Sequence, residues 1–115
     1  MAEDAFLQAL EALEEVINEN DRRATQIRKR MARIRRARDQ GLRYSDSVAN
    51  EDGPLIVQLV TESSTALDLC GASVRRTEAQ ALHDEGMTME QIAERFGVTR
   101  QRVSALLRRS AADPS

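Results

Sequence analysis

Apolar residues recur at a strict 4-3 spacing along the first forty residues, and no glycine or proline occurs between residues 2 and 40. Such a repeat places the apolar side chains on one narrow stripe of a long α-helix, as in coiled coils. A helix with so narrow a stripe is not stable alone and must pack against another helix. After Phe6, the stripe has two sets of positions: Leu10, Ile17, Ala24 and Met31 (the Ile17 set), and Leu13, Asn20, Ile27 and Ile34 (the Ile27 set).

A second helix with a similar stripe is expected after a polar, turn-rich loop at residues 41–53. Pro54 is expected at its first position, where a missing N–H costs nothing. Residues at spacings of four and three from Ile56 to Val74 are then apolar, except Ser63. This helix can pair with the first, either within one chain or between two. Gly71 is either a hinge or part of a continuous helix, and we favour the continuous helix.

The combined apolar surface of these helices exceeds what one chain of 115 residues needs to bury. We therefore predict a homodimer held together by the N-terminal helices. Asn20 within the stripe either pairs and selects the register, or reaches water. The residues predicted to form the dimer contact are Phe6, Leu10, Leu13, Ile17, Ile27, Met31 and Ile34.

The formal net charge of −2 conceals a strong segregation of charge. Residues 1–21 contain seven acidic side chains and no basic one, whereas residues 22–43 contain ten basic side chains against Asp39 alone. Three interpretations of the basic run stay open: a solvated face, contact with nucleic-acid phosphates, or pairing of acidic with basic halves in two antiparallel helices.

Residues 89–108 predict two short helices joined by a tight turn. Thr88 and Gln91 fit a capping box at the start of the first helix, and Thr99 is a plausible N-cap for the second. Ala93 supplies a small residue where the helices cross, and Gly97 tolerates the left-handed backbone of the turn. An ordinary helical hairpin would also satisfy part of this pattern. The apolar residues expected on the inner faces are Ile92, Phe96, Val98, Val103 and Leu106.

Residues 74–86 provide a third helix that can close the core, with Val74, Ala81 and Leu82 facing inward and Gly86 ending it. The predicted fold is therefore all-α. Its organisation comprises a helical dimerisation region at residues 1–72 (a long helix at about 3–40, a loop at 41–53 and a helix from 54), a three-helix helix-turn-helix domain at 73–110, and a flexible tail at 111–115.

The segments Glu85–Ala93 and Phe96–Leu107 resemble the helix-turn-helix of small bacterial, actinobacterial-type DNA-binding proteins, especially the region 4 type of sigma factors. The resemblance covers about the last third of the chain. It implies binding of double-stranded DNA through the major groove and a regulatory role. Residues 1–70 do not resemble the promoter-melting parts of a sigma factor, so the resemblance does not extend to a complete sigma factor.

In a recognition helix, the exposed residues nearest the N-terminus meet base edges. Arginine suits guanine and glutamine suits adenine, because each pair forms two hydrogen bonds. Residues further from the groove floor contact phosphates, which fix the register without reading sequence. The residues predicted to contact bases are Thr99, Arg100, Gln101, Ser104 and Ala105. Those predicted to contact phosphates are Thr88, Arg95, Arg102, Arg108 and Arg109.

Catalysis finds no support in the sequence. His83 is the single histidine, no cysteine–histidine cluster has metal-ligand spacing, and no glycine-rich phosphate loop occurs. Cys70 is the single cysteine and is expected to be buried and reduced on an apolar helix face. We therefore expect neither an enzyme nor a bound cofactor or metal.

No apolar run is long enough to span a membrane, and no secretion signal is visible at the N-terminus. The leading hypothesis is a cytoplasmic, nucleoid-located, homodimeric transcriptional regulator. Two alternatives stay open. One is a helical adaptor that binds RNA polymerase or a sigma factor, and the other is an architectural, nucleoid-associated DNA-binding protein whose basic segment dominates binding.

Overall fold

The computed structural model describes residues 4–49 and 52–112, and within these ranges every regular element is an α-helix. This confirms the predicted all-α class with a long N-terminal helix and a helical C-terminal region. The start of the first helix at residue 3 and residues 113–115 of the expected tail lie outside the described ranges. The helices are α1 (Ala5–Asp39), α2 (Tyr44–Ala49), α3 (Ile56–Asp84), α4 (Met89–Phe96) and α5 (Arg100–Ala112).

The long helix α1 has a local signal at each end. Asp4 caps its start, because the Oδ1 atom accepts a hydrogen bond from the Leu7 N–H at 3.1 Å. Gly41 stops it with a positive φ of 84°, and the Leu42 N–H then returns to the Ala37 carbonyl at 3.0 Å. This is the usual way in which a left-handed glycine satisfies the last carbonyls of a helix.

The expected loop at residues 41–53 contains the short helix α2, and α3 begins at Ile56 rather than at Pro54. The Leu55 carbonyl accepts the first helical hydrogen bond, from the Leu59 N–H at 3.1 Å. The Leu55 N–H donates to Gln58 Oε1 at 2.7 Å. Leu55 therefore occupies the capping position, and Pro54 precedes the helix instead of opening it.

Helix α3 is continuous through Gly71, as favoured from the sequence. A Cβ atom built at Gly71 would meet Arg75 Nη1 at 3.5 Å, which is an ordinary contact. Glycine is therefore not required there by steric crowding within the chain. The described residues group into two compact units, 14–68 and 4–13 with 69–112, so α1 and α3 each contribute to both.

Within residues 14–68, α1 and α3 form an antiparallel hairpin. Asn20 Nδ2 donates to the Ser63 carbonyl at 3.3 Å, and Arg23 Nε lies 3.3 Å from Glu62 Oε2. Further along α1, Arg30 Nη2 donates to the carbonyl of residue 52 at 2.8 Å. The partners move backwards along the chain as α1 advances. Of the two alternatives for Asn20, the structure shows the paired one, with the partner inside the chain.

This hairpin covers the apolar stripe of α1 unevenly. From the Ile27 set, Asn20, Ile27 and Ile34 are half-buried. From the Ile17 set, Ile17 stays 47% exposed and Met31 36% exposed. The helix therefore faces α3 with one set of positions and leaves much of the other in solvent. The role of the stripe in dimer formation stays a prediction.

The second unit contains the C-terminal core, where α3, α4 and α5 meet. Val98, expected inside, is 39% exposed. That expectation was wrong because Val98 lies in the turn itself, at the edge of a shallow cleft beside Phe96 and Leu106. Ala79 supplies a fully buried small residue on α3 that the sequence pattern did not single out. The buried cluster consists of Ala79, Ile92, Ala93, Val103, Leu106 and Leu107, with Leu82, Met87, Met89 and Phe96 packed against it.

Two glycine-to-alanine substitutions should act in opposite directions on stability. Gly97→Ala should lower the free energy of unfolding by about 1–2 kcal/mol, because an L-residue is strained in the left-handed region that Gly97 occupies at φ 67°. Gly71→Ala should raise it by about 0.5–1 kcal/mol, because the position is helical and has room for a methyl group. Urea unfolding followed by circular dichroism measures both, and equal effects would contradict the assignment of strain to Gly97.

Candidate nucleic-acid interface

The turn between α4 and α5 is fixed by caps at both sides. Thr88 Oγ1 accepts from the Gln91 N–H at 3.1 Å while Gln91 Oε1 accepts from the Thr88 N–H at 2.9 Å, which confirms the capping box. Gly97 adopts the left-handed conformation, and the Val98 N–H reaches the Ala93 carbonyl at 3.0 Å. These contacts satisfy backbone groups that the ends of α4 would otherwise leave without partners, and they fix the path of the chain from α4 into α5.

Thr99 caps the start of α5. Its Oγ1 atom accepts a hydrogen bond from the Arg102 N–H at 3.1 Å. A threonine hydroxyl that accepts in this way still carries a proton that it can donate. Thr99 is therefore able to cap the helix and to donate to a DNA acceptor at the same time. Its predicted contact with a base stays a prediction.

Helix α5 has one face in the core and one face in solvent. Val103, Leu106 and Leu107 are buried, whereas Gln101 and Arg108 are exposed. Residues at i, i+3, i+4 and i+7 share one face of a helix. The outer face of α5 therefore consists of Gln101, Ser104, Ala105 and Arg108, of which Ser104 and Ala105 are half-buried.

The outer face carries its own hydrogen bond. Arg108 Nη1 donates to Ser104 Oγ at 2.8 Å. Arg108 is predicted to contact phosphates and Ser104 to contact bases, yet the helix periodicity places them on the same face. The hydrogen bond draws the guanidinium back along the helix, while the Ser104 hydroxyl keeps a proton that it can donate.

Arg100 is held by an acidic side chain that the sequence reasoning missed. Its Nε atom lies 3.1 Å from Glu90 Oε1, and both side chains are about two-thirds exposed, at 65% and 64%. The two residues belong to different helices and are ten positions apart, so no local spacing rule predicts the pair. The pair engages the Nε atom of Arg100, so a base that needs this atom has to displace Glu90.

The candidate phosphate contacts are all exposed but lie at different parts of the domain. Arg95 borders a depression on α4 together with Met87, Gln91 and Glu94. Arg102 borders the shallow cleft formed by Phe96, Val98 and Leu106, with Arg75 and Glu78 on its rim. Thr88 and Arg109 lie at the start of α4 and towards the end of α5. The candidates are thus distributed over α4, its N-cap and α5. Their contact with phosphates stays a prediction.

A comparison with protein-family models finds a match to this part of the chain. Residues 71–113 match the model of a homeodomain-like domain. The match covers the second half of α3 together with α4 and α5, and it supports a helix-turn-helix domain of the kind that binds DNA. The closer resemblance to region 4 of sigma factors stays a prediction. Searches of the curated proteins and of the solved structures find no match to the chain.

Among the described residues, no helix combines the length and the apolar character needed to cross a bilayer. The free thiol of Cys70 is buried, as its position on an apolar face predicted. Neither of these two observations adds a candidate functional residue to the outer face of α5.

Removing the carboxylate of Glu90 should strengthen DNA binding. Glu90→Gln frees Arg100 and should raise the affinity for a bound duplex by up to about fivefold, the range expected from an exposed ion pair. Asp68→Asn is the matched control, since it removes one acidic charge outside the domain. Fluorescence anisotropy measures both. The gain should largely disappear in an Arg100→Ala background, and a gain of the same size there would contradict competition for Arg100.

Proposed function

We propose that this protein is a homodimeric, sequence-specific DNA-binding transcriptional regulator, and that it acts by binding rather than by catalysis. The observation that carries the proposal is the outer face of α5, where polar side chains project from a helix whose other face is locked in the core. The family match supports the DNA-binding part. A helix presented in this way has the dimensions and the polarity that fit the major groove.

In this proposal, the first turn of α5 reads bases. Arg100 offers a planar pair of donors to guanine O6 and N7, and Gln101 offers one donor and one acceptor to adenine. Ser104 and Ala105 follow one turn later, where a short hydroxyl and a methyl group allow close approach to the groove floor. Thr99 donates its hydroxyl proton while continuing to cap the helix.

The remaining candidates position the domain on the duplex. Thr88, Arg95, Arg102, Arg108 and Arg109 contact phosphates and so set the register without reading sequence. The dimer doubles this arrangement, so the preferred site is a pseudo-palindrome whose half-sites follow the two-fold symmetry of the protein. Exposed apolar residues on the N-terminal hairpin, among them Ile17 and Met31, support an assembly of two chains.

Selection of bound duplexes from random DNA, followed by footprinting on the recovered sequence, tests the proposal directly. A discrete protected site with two related half-sites is the expected result. Uniform coating of DNA would favour the architectural alternative, and absence of DNA binding would favour the protein-binding adaptor. Light scattering on the same sample gives the mass, which should be twice that of the 12.9 kDa chain.

Base reading by α5 predicts a selective loss in one variant. Gln101→Ala should cost about 1–3 kcal/mol on the selected site and relax the preference at one base pair. Binding to random DNA should hardly change, because the lost contact reads sequence. Arg109→Ala is the comparison, since it should weaken both duplexes together. Equal losses on selected and random DNA for Gln101→Ala would exclude direct reading by this residue.

Phosphate contact predicts a change in salt dependence. Arg108→Ala should weaken all duplexes about equally and lower the slope of log affinity against log salt by about one, since each such arginine neutralises about one phosphate. Ser104→Ala separates the two roles of this face, because it removes the acceptor that holds Arg108 without removing charge. An unchanged slope in Arg108→Ala would remove this residue from the phosphate contacts.

A further inference from the structure

The N-terminal hairpin leaves large apolar side chains in solvent. Within residues 14–68, Ile17 and Met31 on α1 are 47% and 36% exposed, and Val60 and Leu67 on α3 are each 47% exposed. In each helix these residues recur at multiples of seven positions, so they form a stripe rather than isolated contacts. A repeated apolar stripe is a typical interface, whereas single exposed apolar residues are common on any surface.

The two stripes lie on the same side of the hairpin. Ile17 directly follows half-buried Val16 on α1, and Val60 directly follows buried Leu59 on α3. Equivalent positions of two antiparallel helices are related by a local two-fold axis. A residue that directly follows a contact residue on α1 therefore projects to the same side of the hairpin as a residue that directly follows a contact residue on α3. Together they form one apolar surface, which we call the hairpin face: Ile17, Ala24, Met31, Val60 and Leu67.

Charged residues border the hairpin face along the outer edge of α1. They occur every seven residues, each three positions before a member of the Ile17 set or four positions after one. The first two are acidic, Glu14 and Asp21, and the last two are basic, Arg28 and Arg35. All four are exposed, and within residues 4–49 and 52–112 none of them forms an ion pair inside the chain.

We propose that a second copy of the chain covers the hairpin face, with the two α1 helices side by side and antiparallel and the two-fold axis at Ala24. The four helices then form a bundle whose centre contains both the Ile17 and the Ile27 sets. This inference rests on the homodimer of the proposed function and states which surface builds it. The axis pairs Ile17 of each chain with Met31 of the other, and Ala24 with itself.

The same axis brings the bordering charges together with the correct sign. Asp21 of each chain lies opposite Arg28 of the other, and Glu14 opposite Arg35. In antiparallel helices, the bordering positions of one α1 face the bordering positions of the other α1, from the opposite end of the helix. An acidic first half and a basic second half therefore place opposite charges together at every contact. The small side chain of Ala24 allows the two helices to approach closely where they cross.

Two other arrangements of the hairpins do not bring opposite charges together across the contact. Parallel α1 helices would set the acidic half of one chain against the acidic half of the other. Packing α1 beside α3 of the second copy would oppose these charges to Val57 and Ser64, which carry none. Only the antiparallel pairing of α1 with α1 satisfies the apolar stripe and the four charges together.

Charge reversal tests the pairing. Glu14→Arg with Asp21→Arg makes the whole border basic, and Arg28→Glu with Arg35→Glu makes it acidic. Each double variant alone should dimerise about a hundredfold more weakly, since every attraction becomes a repulsion. A one-to-one mixture of the two should recover a mass of two chains. Glu11→Arg with Glu15→Arg, and Lys29→Glu with Arg36→Glu, are the matched controls on the faces of α1 turned away from the contact.

A crosslink locates the axis independently of charge. Ala24→Cys should form a disulfide between two chains under mild oxidation, because the axis brings the same residue of both chains together. Ala32→Cys, also on α1 but away from the hairpin face, should form far less of it. Circular dichroism checks that each variant keeps its helical content. Cys70 stays in place in both variants, where it is buried.

The outcomes separate this inference from the proposed function. A dimer that neither responds to charge reversal nor crosslinks through Ala24→Cys would overturn the hairpin face and leave the dimeric regulator standing. A wild-type chain that is monomeric at micromolar concentration, and binds a half-site as tightly as a full site, would overturn the dimer itself. In either case, comparing Gln101→Ala on selected and random DNA would still test whether this residue reads bases.

Discussion

The N-terminal part of this chain depends on how the apolar stripe of α1, two positions wide on a helix of 35 residues, is covered by other helices. Such a helix gains little from its intrinsic propensity and depends on tertiary contacts. The antiparallel pairing with α3, fixed by Asn20 on Ser63 and Arg23 on Glu62, supplies those contacts for one set of positions. The Ile17 set lies about 50° further around the helix. It stays largely in solvent because α3 contacts α1 on the other side of the Ile27 set, where Arg23 pairs with Glu62.

In the C-terminal part, packing and helix caps instead keep the outer face of α5 in a fixed position. Small residues on α3 and α4, Ala79 and Ala93, lie in the core and let the helices approach closely. The caps at Thr88 and Thr99 and the left-handed Gly97 then fix where α5 begins. Rigid support of this kind matters for reading DNA, since a hydrogen bond to a base edge weakens steeply with poor alignment.

Local signals in the sequence predicted much of this structure. The continuous α1, the capping box at Thr88 and the turn at Gly97 each depend on residues a few positions apart, and each was confirmed. Val98 was placed wrongly because a turn breaks the helical period on which the assignment relied.

Contacts between helices were harder to predict. The pair between Glu90 and Arg100 joins two helices and depends on their crossing angle. Likewise, periodicity showed that α1 carries two apolar sets, but which set faces α3 depends on the rotation of α1 about its own axis. That rotation is decided by packing, as shown by the half-buried Ile27 and the exposed Ile17.

In the proposed complex with DNA, the ion pair at the start of α5 also changes what Arg100 contributes. An arginine free in solution displaces a condensed cation from the duplex when it docks, and the entropy of that release drives binding at low salt. Arg100 arrives already neutralised by Glu90, so its transfer to a base exchanges one partner for another. Its contribution should therefore be nearly independent of ionic strength. Selectivity carried by this residue would persist at salt concentrations where contacts to the phosphate backbone have faded.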